Sequence, residues 1–211
     1  MNDMNSWYNT SDPKVVGHYE LNNKEFMFWL YCPIKTPNTG FIYPDNLLKF
    51  SDLVGYCLKD EDIIGKYIYL TVKSLYVDEN SFGQREGWHS DGFLTNDVNF
   101  IWSDENPTTF SYKSVKLTSC HNESLKQMNK EYYDYLEECS YQGVKNMVYR
   151  LTSNQIHKPT KPDKGCFRNF VKVSVSDTLY KHAGMSSNHK IGLINDNTKL
   201  DLLNRKCPKE K

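Results

Sequence analysis

The 211-residue chain carries no net charge, because 26 basic residues balance 26 acidic ones. That balance argues against a protein held to nucleic acid by bulk electrostatics, which requires a basic surface that releases counterions, and leaves room only for a local basic patch. No apolar run approaches the roughly 18 residues of a membrane span. Among the six cysteines (Cys32, Cys57, Cys120, Cys139, Cys166 and Cys207) no Cys-x-x-Cys pair occurs. A zinc ribbon and a thioredoxin-like site are therefore set aside. The polar start shows no secretory signal, so the even cysteine count reads as free thiols rather than a disulfide framework. The expectation is a soluble, cytoplasmic protein without a membrane partner. No repeat and no linker interrupt the chain. We expect one domain over residues 1–211, with its core at about 25–180, an N-terminal arm and a C-terminal extension.

Aromatic side chains are plentiful, with 15 Tyr and 10 Phe, which suits a sheet-rich core. An edge strand is expected around Val15 to Leu21. Glu25 to Tyr31 is apolar at consecutive positions, as in a strand buried on both faces. Pro33, Pro37, Gly40 and Pro44 then mark a loop. From an N-cap at Asp45, Leu47 to Leu58 has helical spacing. Lys66 to Asp78 alternates with Ile68, Leu70, Val72 and then Leu75 on one face, and an irregularity is expected near Ser74. Strands follow at Asp97 to Ser103, Thr108 to Leu117, Met147 to Ile156 and Phe167 to Ser176. In the last of these Phe170, Lys172, Ser174 and Ser176 face opposite to Val171, Val173 and Val175. Between them, Leu125, Met128, Tyr132, Tyr135 and Leu136 recur at helical steps after an N-cap at Asn122. Many short strands with an inserted helix fit a mainly β, double-sheet jelly roll.

The chemistry lies in Gly87-Trp88-His89-Ser90-Asp91-Gly92-Phe93 and, far downstream, in His157 and Arg168. Residues two apart in a strand point the same way, so His89 and Asp91 reach a common point. His157 sits at a strand end before Pro159. Two histidines and one carboxylate form the facial ligand set of non-haem Fe(II) oxygenases. Arginine is suited to bidentate carboxylate binding in a semi-buried site. His182 and His189 are runner-up distal ligands, while His18 and His121 fit less well.

This His-x-Asp…His…Arg order resembles the Fe(II)/2-oxoglutarate-dependent dioxygenases. The abundance of Lys, Asn and Tyr matches products of AT-rich genomes, many viral or phage ones included. The resemblance implies a double-stranded β-helix (jelly-roll, cupin-like) core with flanking helices. It implies Fe(II) on His89, Asp91 and His157, with 2-oxoglutarate and O2 as co-substrates and ascorbate as a supporting reductant. Arg168 is implied to pair with the distal carboxylate of 2-oxoglutarate. Tyr76 is the expected supporting residue on the preceding strand, with Lys73 and Tyr69 behind it. Asn99 and Trp102 are expected to line the pocket, and Thr108-Thr109-Phe110 resembles the stretch that follows that strand. Many members carry serine two residues after the arginine; here Phe170 stands there, and Ser174 is the nearest alternative.

The implied outcome is hydroxylation or oxidative demethylation of a substrate C–H bond, with release of succinate and CO2. A small molecule or amino acid, a nucleobase extruded into the pocket, and a protein side chain compete as substrates. Lys158, Lys161, Lys164 and Lys172 could steer an anion or simply be solvated. A catalytically inactive jelly-roll binding module and a zinc hydrolase are the alternatives, the latter leaving Arg168 without a role. Cys166 reads as a structural thiol.

Overall fold

The computed structural model describes residues 6–8, 11–181 and 184–192. Its strands are β1 (Ser6–Tyr8), β2 (Lys14–His18), β3 (Met27–Lys35), β4 (Tyr67–Val77), β5 (Val98–Ser103), β6 (Thr109–Ser111), β7 (Val115–Leu117), β8 (Ser140–Gln142), β9 (Met147–Leu151), β10 (Ile156–Lys158) and β11 (Cys166–Ser176). A large sheet runs β2-β9-β5-β11-β4-β3, a small one runs β10-β6-β8, and β1 pairs with β7. Every strand pairing is antiparallel. No helix of the described residues is long and apolar enough to cross a membrane.

Alternation decides what each face of the large sheet does. Ile68, Leu70 and Val72 of β4, Phe100 and Trp102 of β5, and Val171, Val173 and Val175 of β11 share one buried face. Covering it is a 3-10 turn, Asp45–Phe50, that runs into helix α1 (Ser51–Leu58). Leu47, Phe50, Leu53, Val54, Cys57 and Leu58 supply the apolar stripe of that cover. Pro44, not Asp45, occupies its N-cap. The opposite face of the same strands turns toward the small sheet, where Ile101, Phe110, Tyr149, Leu151 and Phe170 fill the interior.

Several local expectations change. β4 pairs with β11 over its whole length without a register shift, so no irregularity exists at Ser74. Ser74 keeps the core-side face and accepts a 2.9 Å hydrogen bond from Asn23 Nδ2. Leu75 moves to the face of Thr71 and Lys73. β3 is an edge strand rather than one buried on both faces, and Phe26 and Phe28 are exposed. Edge position is also why it continues through Pro33, which has no N–H to give a ladder. The run from Met147 toward His157 is two strands in two sheets, broken by a turn in which Gln155 Oε1 accepts Thr152 N–H at 2.5 Å. The stretch from Thr108 to Leu117 is likewise split into β6 and β7.

The inserted helix is also broken. Helix α2 (His121–Lys126) passes into a π-turn (Gln127–Glu131) and then helix α3 (Tyr133–Glu138). Cys120 stands at its N-cap in place of Asn122. Met128 and Leu136 pack on Trp88, Val115, Leu117 and Ile156, whereas Tyr135 is exposed.

Candidate metal centre

His89 and His157 are brought together by backbone pairing. His89 N–H donates to His157 O at 2.9 Å, and His157 N–H donates to His89 O at 2.9 Å. Residues directly opposite in an antiparallel pair project from the same face. The two imidazoles accordingly lie with ring centroids 4.5 Å apart. His89 thus extends the small sheet by one bridge beside β10. Asp91 follows at the start of a turn rather than within a strand.

Each ring is oriented by its own backbone. His89 Nδ1 lies 2.9 Å from Gly87 O, and His157 Nδ1 lies 2.9 Å from Gln155 O. A carbonyl only accepts, so both Nδ1 atoms carry a proton, and Nε2 is the ring atom left for a metal. His157 Nε2 is 3.6 Å from Asp91 Oδ2. One ligand atom from each of His89, Asp91 and His157 falls within 4.8 Å of the others. This largely buried group can hold a metal ion. Among the described residues it is the one cluster of this kind.

No protein-family model, no curated protein and no solved structure matches the chain. The residues themselves carry the remaining argument.

At neutral pH the group presents an ionised carboxylate and a neutral His89. Burial alone would raise the Asp91 carboxyl, but the Lys172 ammonium and His157 hold it well below the ordinary carboxylate range. Burial and the neighbouring His157 push the His89 imidazole down to about 4, so it is neutral and free to ligate at pH 7. Lys172 Nζ lies 3.0 Å from Asp91 Oδ2 and 2.9 Å from Tyr31 Oη. Burial lowers its affinity for a proton, yet Asp91 and Tyr31 more than restore it. Tyr31 reaches this place through a bulge in β3, where its φ of 45° departs from the strand. Such bulges re-aim side chains beside functional sites.

The triad borders a cavity of about 170 Å³ between the two sheets, lined also by Thr71, Lys73, Arg85, Thr108, Phe170 and Lys172. Arg168 shares the face of Phe170 and Lys172 on β11 and is buried. Its Nε donates to Glu105 O at 2.9 Å, while its Nη2 is buried without a partner. Its guanidinium stands 5.0 Å from the ring of Phe170, which lines the cavity, whereas Arg168 itself does not. Burial brings the guanidinium down to about 10, still charged at neutral pH. Lys73 does line the cavity, and burial together with Lys172 and Arg168 lowers its ammonium to about 8.

Tyr76 is placed elsewhere. It sits on the opposite face of β4 from Lys73, more than half exposed, with its hydroxyl against Gly165. Parity along β4 required this, since Tyr76 and Lys73 are three apart. Asn99 faces the interior with Ile101, but its Oδ1 accepts Ser174 Oγ at 2.6 Å and it does not border the cavity. Trp102 lies on the core face and donates to Tyr19 O at 2.9 Å. Tyr69 is stacked on Tyr180 at 4.1 Å, away from the cavity lining. Phe110 packs near His157, with ring centroids 6.3 Å apart. Cys166 is a free thiol beside Asn106, as are Cys32, Cys57, Cys120 and Cys139; Cys207 lies outside the described residues. His182 also lies outside them. His18 pairs with Glu20 and His189 sits in a turn, and neither joins the triad. The sequence reading had Lys172 only as a lysine that could steer an anion and missed its pairing with Asp91, and it gave Tyr31 no place in the site. The signal for Lys172 was its parity with Arg168 and Phe170; a bulge such as the one that turns Tyr31 inward leaves none.

Proposed function

We propose that this chain is an Fe(II)- and 2-oxoglutarate-dependent dioxygenase on a jelly-roll, double-stranded β-helix core. Strand order supports the fold. Followed along the chain, β4, the His89 segment, β5, β6, β8, β9, β10 and β11 belong to the large, small, large, small, small, large, small and large sheet. That winding between two facing sheets is jelly-roll-like.

The observation that carries the activity is the directed pair of histidines. Two imidazoles, each tied through Nδ1–H to a carbonyl and so left with Nε2 for a metal, converge with one ionised carboxylate. The 3.6 Å between His157 Nε2 and Asp91 Oδ2, and a spread of no more than 4.8 Å over the three ligand atoms, would let one divalent ion be held by all three. His89, His157 and Asp91 would hold Fe(II), leaving positions open on one face. Bound there with 2-oxoglutarate and O2, Fe(II) would supply oxidative decarboxylation to succinate and CO2, coupled to hydroxylation of a substrate C–H bond.

The chain's own residues bind, orient and exclude water. Lys172 keeps Asp91 anionic and fixes its rotamer with Tyr31. Lys73, whose Nζ donates to Gly83 O at 2.9 Å, and Arg168, whose Nη2 has no partner, carry positive charge that suits the distal carboxylate of a dicarboxylate. Ile101, Phe170 and Thr108 line the cavity beside the triad. The small cavity and the zero net charge favour a small-molecule or amino-acid substrate over a nucleobase in a polymer.

Succinate formation tests this. Protein given Fe(II), 2-oxoglutarate and ascorbate anaerobically, then air, is expected to release succinate, and His157→Ala is not. A wild-type protein that binds neither a divalent metal nor 2-oxoglutarate would move the non-catalytic binding module to first place.

A further inference from the structure

The segment inserted between β6 and β8 touches the chain beside both histidines. On the π-turn, Asn129 Oδ1 accepts Trp88 N–H at 2.7 Å and Asn129 Nδ2 donates to Trp88 O at 2.8 Å. The same Nδ2 donates to Leu125 O at 2.8 Å, which anchors the amide to the helix before the turn. One side chain therefore occupies both backbone groups of the residue next to His89. On α3, Glu137 accepts from the Lys158 ammonium, next to His157. Lys158 also lies 4.8 Å from the Trp88 ring and 5.5 Å from the Tyr133 ring. The two grips are thus joined through Trp88, which is fully buried.

We infer that Asn129 and Glu137 are positioning residues for the metal centre, acting on His89 through Trp88 and on His157 through Lys158. The inference rests on the metal reading above. A π-turn costs helix regularity, and such turns gather where a side chain must be aimed. Here Tyr132 N–H donates to Gln127 O, five residues back, at 3.0 Å, and Asn129 is carried at the middle of the turn facing Trp88. Neither residue needs to meet the metal. Asn129 fixes the backbone between Gly87, whose carbonyl orients the His89 ring, and His89, and Glu137 holds the side chain of Lys158 next to His157; such outer partners tune metal affinity about tenfold to hundredfold.

The test uses full-length protein and Co(II) as the probe. Asn129→Asp keeps the acceptor and loses the donors; Glu137→Gln keeps the shape and loses the charge. Each is expected to weaken Co(II) binding about tenfold or more and to alter the Co(II) absorption bands, with the circular dichroism of the fold unchanged. Leu136→Ala, a packing change in the same segment, is expected to lower the melting temperature while leaving the affinity of the folded protein unchanged. In the metal-free protein, the imidazole ¹⁵N resonances of His89 are expected to move in Asn129→Asp and those of His157 in Glu137→Gln. Wild-type Co(II) affinity and unshifted imidazole resonances in both variants would overturn the positioning role. Absence of Co(II) binding by the wild type, with the imidazole shifts present, would overturn the metal reading and leave the grip on the histidines standing as structure alone.

Discussion

Lys172 Nζ and Asp91 Oδ2 are 3.0 Å apart, so the carboxylate of the proposed ligand set already has a buried cation of its own. Removing one partner of a buried pair leaves the other charge uncompensated, at a cost of about 3 kcal/mol. Lys172→Met is expected to lose about that much stability in the metal-free protein. A divalent metal supplies the missing positive charge, so added Co(II) should return most of the loss. Urea unfolding with and without metal measures both. Equal destabilisation in the two conditions would separate Asp91 from the metal.

The depressed Asp91 carboxyl has a defined pH consequence. A group whose folded pKa lies below its unfolded value, near 3.9, contributes stability that is present above that value. The contribution is lost as pH falls through the folded pKa. Lys172→Met removes the ammonium that holds the carboxyl down, so its acid-unfolding midpoint should sit at higher pH than that of the wild type. Coincident acid transitions would contradict the assignment of Lys172 as the main stabilising charge.

His89 predicts a second, separable pH effect. Its folded pKa is lowered to about 4, against about 6.5 when exposed. The unfolded chain takes up the proton first, so stability falls as pH drops below about 6.5 and this share of the slope ends near pH 4. The whole share is about 3 kcal/mol at most. Chemical unfolding of metal-free protein at pH 7, 6 and 5 should show it, and His89→Asn should flatten the profile. An unchanged slope in the variant would place the effect on another group.

Lys73 predicts a proton count. Its ammonium is lowered to about 8 by burial, Lys172 and Arg168. A dicarboxylate beside it reverses that shift, so binding at pH 8 should take up about half a proton per ligand. Calorimetry of 2-oxoglutarate binding to metal-loaded protein, in two buffers of different ionisation enthalpy, reads the number directly. Lys73→Met should bring it to zero. Arg168→Ala should weaken 2-oxoglutarate about tenfold or more, since it removes a buried charge with an unused donor. Tyr76→Ala, on the exposed face, should leave binding unchanged.

Those expectations also mark how far the sequence could be read. β11 was legible because its alternation is strict and long, and β4 as far as Val72 for the same reason; their unbroken pairing places Lys73, Arg168, Phe170 and Lys172 on one face. His89 and His157 were legible as candidate ligands by type and order. Their meeting was not, since it depends on a single bridge between segments 68 residues apart, the difference of the two residue numbers. Ser74 misled because a small polar residue on a buried face resembles a break; its partner, Asn23, lies 51 residues away. Tyr76 misled through one step of parity. The turn between β9 and β10 was hidden because Thr152 and Gln155 bond locally in a stretch that still reads as strand-like.

Gly87 joins backbone conformation to the centre. Its φ of 86° lies in the region that side-chain-bearing residues avoid. A Cβ there would meet Asn129 Oδ1 at 2.3 Å, the atom that accepts Trp88 N–H. The Gly87 carbonyl also fixes the His89 tautomer. Gly87→Ala therefore strains the turn by about 1–3 kcal/mol, pushes Asn129 from Trp88 and tilts the carbonyl that aims the imidazole. The melting temperature should fall by several degrees, and Co(II) affinity should fall in the protein that remains folded. Gly40→Ala is the control, because its Cβ enters open space and its backbone is ordinary; it should be neutral or stabilising by a few tenths of a kcal/mol. If Gly87→Ala lowered the melting temperature while Co(II) bound as tightly as before, the turn would be a folding requirement and not part of the apparatus that aims His89.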